Sequence, residues 1–389
     1  MIDPHLHPLY AQMPTTIFET MSGLARQHGA INLGQGFPDG PPPAALAQAV
    51  ARAMAERSQQ YPPMAGLPEL RDAVAEFYAR RQGLALSREH VIVTSGATEA
   101  VAAAILATVR PGDDVLVMAP AYDAYAPLVR RAGGTPVFVP LAPPEWAIPV
   151  DALRAAITSR TRVLILNDPL NPTGTVTTAA ERAALAALCV EANLIAICDE
   201  VWEVVRFDGK PHASLLAEPG MAARTIKIGS AGKIFGATGW KVGWLVADPA
   251  IAAVVGRAHQ FLTFTTPPML QWAVAEGLAD DALIDGQVAD WSASRTALLG
   301  ALASAGFAAL PGSATWFSCM DLGQSGFALD DQTFATRAVA EAGVATIPLS
   351  ALWEGPPAPR HIVRLCHCKP VAMVEEAVER LARWREGLG

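Results

Sequence analysis

Three stretches of this sequence run through β-branched residues and stop on groups able to do chemistry. After Val91-Ile92-Val93 come Thr94-Ser95-Gly96-Ala97-Thr98, which open a helix. Small residues at a helix N-terminus leave backbone N–H groups free to hold a phosphate. After Leu194-Ile195-Ala196-Ile197-Cys198 come Asp199 and Glu200. A carboxylate ending a buried strand must be paired or face a cleft, because burying it alone is costly; a helix cap is the plainer reading. After Thr225-Ile226-Lys227-Ile228-Gly229 come Ser230-Ala231-Gly232-Lys233, where small residues around one amine suit the close approach of a flat ligand. A solitary lysine ordinarily sits in water, so Lys233 acquires meaning only from its company.

These stretches belong to a longer rhythm. Short β-branched runs recur at 91–94, 115–118, 136–139, 163–167, 194–199, 225–229 and 242–246, most of them separated by helical stretches such as 97–109 and 178–191. The alternation predicts an α/β fold, a three-layer large domain with a mostly parallel seven-stranded sheet covered on both faces. In such open sheets ligands sit at the carboxyl ends of the strands, which is where Gly96, Asp199 and Lys233 fall. Residues 1–43 read as an N-terminal arm and part of a small domain, and 44–290 as the large domain. Residues 291–389 read as a smaller α+β domain, with helices over 292–305, 332–342 and 371–386 and strands over 316–321 and 362–368.

Composition narrows the function. The 389 residues carry 29 basic and 37 acidic side chains, a net charge of −8, without a block of Lys or Arg. Nucleic acid is therefore not the expected partner. Five cysteines, an odd number in a large chain, read as reduced thiols of a cytoplasmic protein. The first eight residues have neither the basic nor the apolar region of a signal peptide. The apolar stretch 100–109 is about half of the roughly 20 residues that a membrane span needs. Cys366-His367-Cys368 has the residue types of a metal site, but on a strand the cysteines face one way and the histidine the other. No metal is expected there, and His5 and His7 are too few to form a site.

Taken in order, these residues resemble the fold-type I pyridoxal-phosphate aminotransferases of class I/II, and within them the kynurenine, glutamine and methionine aminotransferase branch. The resemblance runs from about residue 32 to 369. It rests on Asn-Leu-Gly-Gln-Gly-Phe-Pro-Asp (32–39), Tyr-Pro-Pro-Met-Ala-Gly-Leu-Pro-Glu-Leu-Arg (61–71), Asn-Pro-Thr-Gly (171–174), Cys-Asp-Glu-Val-Trp-Glu (198–203) and the stretch 230–244. It implies an aspartate aminotransferase-like fold and pyridoxal 5′-phosphate as cofactor. By this resemblance Lys233 holds the cofactor as a Schiff base and later shuttles a proton. Asp199 pairs with the pyridine nitrogen, Asn171 bonds the ring's 3′ oxygen, and Tyr122 stacks on the ring. The phosphate is assigned to Gly96, Ala97, Thr98, Ser230 and Lys241, with Tyr61 reaching over from a second subunit. Arg364 clamps the substrate α-carboxylate with its planar fork, beside Asn171 and assisted by the Gly36 amide. Phe37 and Tyr61, with Phe18 and Phe264, line the side-chain pocket, and the Asn171–Pro172 bond is expected to be cis.

Trp202 departs from the pattern. The family carries tyrosine there, whose phenol donates to the 3′ oxygen; an indole has one N–H, differently placed. The implied activity is ping-pong transamination between an apolar, aromatic, sulfur-containing or glutamine-like amino acid and a 2-oxo acid, in a homodimer. The same site would serve a cysteine-conjugate C–S β-lyase. A non-catalytic cofactor-binding sensor, as in transcription regulators, would need a DNA-binding segment, and forty irregular residues leave no room for one.

Overall fold

The computed structural model describes residues 5–355 and 357–388; the first four residues of the expected arm lie outside them. Seven strands form one sheet: β1 (Val91–Thr94), β2 (Asp114–Ala119), β3 (Thr135–Pro140), β4 (Thr161–Asn167), β5 (Ile195–Asp199), β6 (Thr225–Ser230) and β7 (Gly243–Val246), in the order β1-β7-β6-β5-β4-β2-β3. Only β7 runs antiparallel to its neighbours, so β1 to β6 all point their carboxyl ends the same way. The inner strands are buried along almost their whole length. That is why they read as continuous apolar runs instead of alternating ones. β3 carries Pro136 and Pro140 and lies at the sheet edge, where a missing N–H costs no ladder bond.

Helices cover the sheet. The helix Ala97–Thr108 packs on β5, β6 and β7 and against the helix Pro249–Gln260, which accounts for its apolar character all round. The helix Ala179–Glu191 starts where the sequence indicates, with Thr178 and Glu181 forming a reciprocal cap.

A second sheet, β8 (Ala308–Ala309), β9 (Phe317–Asp321), β10 (Ile347–Pro348) and β11 (Ile362–Cys366), has the antiparallel order β10-β11-β9-β8. Its core includes Met320, Val363 and Leu365 packed with Leu298, Leu302, Val374 and Leu381 from two helices. Near the N-terminus, Ile31–Asn32 pairs in parallel with Val344–Ala345. The helix expected from residue 292 starts earlier, at Asp281, capped by Asp280, and the expected boundary after residue 290 falls inside it. Its residues join three separate apolar clusters in turn: Ile284, then Trp291, then Leu298. A helix with three successive partners shows no single apolar stripe, which hid its first turns. The helix expected over 332–342 is α-helical only over Asp331–Arg337 and continues as a π turn, Ala338–Ala342. Among the described residues no helix is long and apolar enough to cross a membrane.

Candidate active site

Asp199 ends β5 fully buried, and its two oxygens differ. Oδ2 accepts a hydrogen bond of 2.5 Å from Tyr125, whereas Oδ1 is buried without a partner. Burial raises the acid's pKa, opposed by the Tyr125 hydrogen bond and the charge of Lys233. Lys233 follows β6 in the short helix Ala231–Ile234. Its amine lies 4.8 Å from the Trp202 ring centroid and 5.1 Å from that of Trp316. Desolvation lowers its pKa to about 8, opposed by electrostatic attraction from Cys368, Cys366 and Asp199.

Asn167, at the end of β4, joins two of the groups in this cluster. Its amide donates to the Asp199 carbonyl at 2.8 Å, and its side-chain oxygen accepts from the Asn171 backbone N–H at 2.8 Å. The Asn171–Pro172 bond is cis, as expected. Arg364 enters from β11, buried, with its guanidinium carbon 3.9 Å from the Phe317 ring centroid. It donates to Asn171 Oδ1 at 3.0 Å and to the Gly34 carbonyl at 2.6 Å, while its Nε has no partner. Burial brings its pKa down to about 10. Gly36 passes so close to this stack that a Cβ there would lie 2.6 Å from Phe317 Cζ; no other residue fits without moving the ring.

At the other end of the cluster β1 and β6 finish beside the start of β7, with Gly243 opposite both Thr94 and Ser230. Gly96 has φ +78° and precedes the helix that begins at Ala97, so the free amides of the first turn open here. A Cβ on Gly96 would lie 3.5 Å from the Lys241 amine, which places that cation beside the amides. Thr98 and Tyr122 bring their hydroxyls to 3.5 Å of each other. The turn is braced from behind by Glu99, which accepts from the Ser95 N–H at 2.5 Å, bonds His259 at 2.6 Å and accepts from Thr263 at 2.7 Å.

Between these groups lies a cavity of about 240 Å³. Of the expected residues, Gly36, Phe37, Ala97, Thr98, Tyr122, Asn171, Asp199, Trp202, Lys233, Arg364 and Phe18 line it. Gly96, Ser230 and Lys241 stand beside Ala97 at the β1–β7–β6 end without lining it. Tyr61 and Phe264 do not line it either: Tyr61 is 83% exposed and meets Phe264 edge to face at 5.6 Å. Tyr125, Asn167, Phe317 and Trp316 were not anticipated. Among the described residues no group of three or more His, Cys, Asp or Glu side chains could hold a metal.

The model of the aminotransferase class I and II family matches residues 28–381. The chain belongs to that family. This aminotransferase is 43% identical over 382 residues to the probable N-succinyldiaminopimelate aminotransferase DapC of Mycobacterium tuberculosis, covering 95% of this chain and 96% of the relative. It is 39% identical over 372 residues to the methionine aminotransferase of Escherichia coli, with coverage of 95% and 96%. The solved N-succinyldiaminopimelate aminotransferase from Mycobacterium tuberculosis superposes with a TM-score of 0.93 at 42% identity, covering 97% of this chain and 99% of that one. The fold is thus the aspartate aminotransferase-like one, and the enzyme depends on pyridoxal phosphate. The residues present fit that group. A buried carboxylate oxygen without a partner suits a protonated ring nitrogen, and free amides beside an ammonium suit a phosphate dianion.

Proposed function

We propose that this aminotransferase moves an amino group from an apolar, aromatic, sulfur-containing or glutamine-like amino acid to a 2-oxo acid, by a ping-pong mechanism in a homodimer. The observation that carries the reading is the convergence of Lys233, Asp199, Asn171 and Arg364, from four separate segments, on one cavity. When bound, pyridoxal phosphate supplies a carbonyl carbon that takes the amino group and a ring that accepts the electron pair released at Cα. Asp199 would hold the ring nitrogen's proton through its unpartnered Oδ1, and Asn171 and Tyr122 would fix the ring's edge and face. Gly96, Ala97, Thr98, Ser230 and Lys241 would hold the phosphate, with Tyr61 of a second subunit; its exposure on a lone chain suits that use.

Arg364 would take the substrate carboxylate, since its Nε is buried and unused, and the Gly36 amide would sit alongside. With the carboxylate fixed, the Cα–H would face Lys233. A pKa of about 8 leaves an appreciable neutral fraction of its amine near neutrality, so it can take the Cα proton and return it. Phe18, Phe37 and Phe317 give the rest of the cleft an apolar surface. Arg364 and Lys233 are the only cations among its described lining residues, which favours donors without a second carboxylate.

A half-reaction screen tests this. Cofactor-loaded enzyme is mixed with single amino acids, N-succinyl-diaminopimelate included, and the 2-oxo acid formed without any acceptor is measured. Methionine, aromatic amino acids or glutamine should yield one equivalent per site, faster than aspartate does. Preference for aspartate, or β-elimination of a cysteine conjugate to pyruvate and ammonia faster than any amino donor is converted to its own 2-oxo acid, would overturn it.

A further inference from the structure

Cys366 and Cys368 take no part in the reaction above, yet their placement is specific. Arg364 and Cys366 share one face of β11, and Cys368 follows just past its end, so that the two sulfur atoms lie 3.3 Å apart. His367 turns the other way, with its ring 5.6 Å from that of Phe207. Both thiols are buried in the cluster that contains Trp202, Trp316 and Phe317. Those same rings face the amine of Lys233 and the guanidinium of Arg364. Cys366 is held firmly: its N–H donates to the Leu33 carbonyl at 2.7 Å, and it pairs with Phe317 across the sheet. Cys368 lies outside the ladder, past the last residue of β11.

We propose that this dithiol is a redox modification site, at which a peroxide closes a Cys366–Cys368 disulfide and disturbs Arg364 two residues away. In the first step the Cys366 thiolate attacks one peroxide oxygen and the O–O bond breaks. The departing hydroxide takes a proton and leaves as water, and Cys366 becomes a sulfenic acid. The Cys368 thiolate then attacks that sulfur, the S–S bond forms, the S–O bond breaks, and the oxygen leaves as a second water with the proton Cys368 gave up. The thiols together lose two electrons and the peroxide gains them.

Cys366 is the better nucleophile of the two. Burial opposes its ionisation, but the hydrogen bond with Cys368 and the charges of Lys369 and Arg364 bring it to about 7. Burial pushes Cys189 and Cys319 up to about 12 and Cys198 well above its ordinary value, so attack should concentrate at one place. Closing the bond means bringing the sulfurs to about 2.05 Å, which bends the segment that carries Arg364. Only this last consequence rests on the proposed role of Arg364.

The test treats the cofactor-loaded, full-length enzyme with hydrogen peroxide, then alkylates remaining thiols after denaturation and maps them by peptide mass. The expected result is loss of two hydrogens from the peptide holding Cys366 and Cys368, reversed by dithiothreitol, with Cys189, Cys198 and Cys319 still alkylated. In Cys368→Ser the reaction should stop at a sulfenic acid on Cys366, trapped by dimedone. The KM for the amino donor should rise several-fold in the oxidised enzyme and recover on reduction, with kcat changed less. Full alkylation of Cys366 and Cys368 after peroxide, or oxidation spread over all five thiols, would overturn the site. A disulfide with an unchanged KM would overturn its coupling to Arg364, and the mass readout keeps that outcome separate from any failure of the proposed activity.

Discussion

Tyr125 donates its phenolic hydrogen to one oxygen of Asp199 at 2.5 Å and leaves the other oxygen buried and unpaired. The hydrogen bond stabilises the carboxylate, while burial favours its protonation. Removing the phenol in Tyr125→Phe should therefore raise the Asp199 pKa further. The anion would be lost at higher pH, and the acid limb of the kcat profile should move up. A hydrogen bond to a charged group contributes about 1.5–3 kcal/mol, so kcat should fall roughly ten- to hundredfold, since 1.4 kcal/mol is about a factor of ten. The KM should change little. A pH–rate profile that superposes on wild type would refute this role.

The parts of the site that were legible in advance are those with a local signal. Gly96, Asp199 and Lys233 each end an apolar run, and a parallel sheet brings such ends together whatever lies between. Asn171 and Arg364 stand in no such pattern: Asn171 is recognisable through the motif 171–174, and Arg364 only through the resemblance of the whole chain. Tyr125 had no signal, because its partner is 74 residues away and nothing around it distinguishes it from a core tyrosine. The same holds for Glu99, whose partner His259 is 160 residues away. Only residues 292–305 carry a helical signal for the helix Asp281–Ser304, because it changes apolar partners along its length. Each omission concerns a contact between distant segments, and local periodicity carries no record of those.

Arg364 already spends one bond on Asn171 and one on the Gly34 carbonyl, and its Nε is unpaired. Lysine at this position keeps the charge but has a single donor group, without the planar fork. Arg364→Lys should raise the KM for the amino acid about thirty- to hundredfold, the loss of roughly 2–3 kcal/mol for a bidentate charged pair, with a smaller effect on kcat. Steady-state kinetics decides it, with circular dichroism to check the fold because the guanidinium also packs on Phe317. An unchanged KM would remove Arg364 from carboxylate binding.

The indole of Trp202 lies 4.8 Å from the Lys233 amine, and its face favours a positive charge on that nitrogen. The missing phenol donor acts in the same direction, since it would have stabilised the uncharged form. In the loaded enzyme the pH titration of the visible absorption band should therefore have a lower midpoint in Trp202→Tyr than in wild type, by about one unit. Tyrosine also gives up edge-to-face packing on Trp316 and Phe317 at 5.0 and 5.2 Å, so some loss of stability should accompany the shift. Equal midpoints would show that the indole is only a packing residue.

Lys227 lies on β6, fully buried, with its ammonium paired to Glu200 and 2.6 Å from Glu203. Glu200 also bonds His212 and Ser214, each at 2.8 Å, and Glu203 accepts from Tyr78 at 2.8 Å and Gln82 at 2.6 Å. One ammonium faces two carboxylates, and those carboxylates hold its pKa up against desolvation. Lys227→Met would leave two acids in the core without their cation, a change that costs about 3–5 kcal/mol when a buried pair is broken. Urea unfolding should show that loss. None of Lys227, Glu200 and Glu203 lines the cavity that holds Lys233 and Asp199, so kcat of the folded fraction well below its melting temperature should stay within about twofold of wild type. A large fall in kcat without a fall in stability would mean that this cluster acts on Asp199 through the backbone they share at residues 199 and 200.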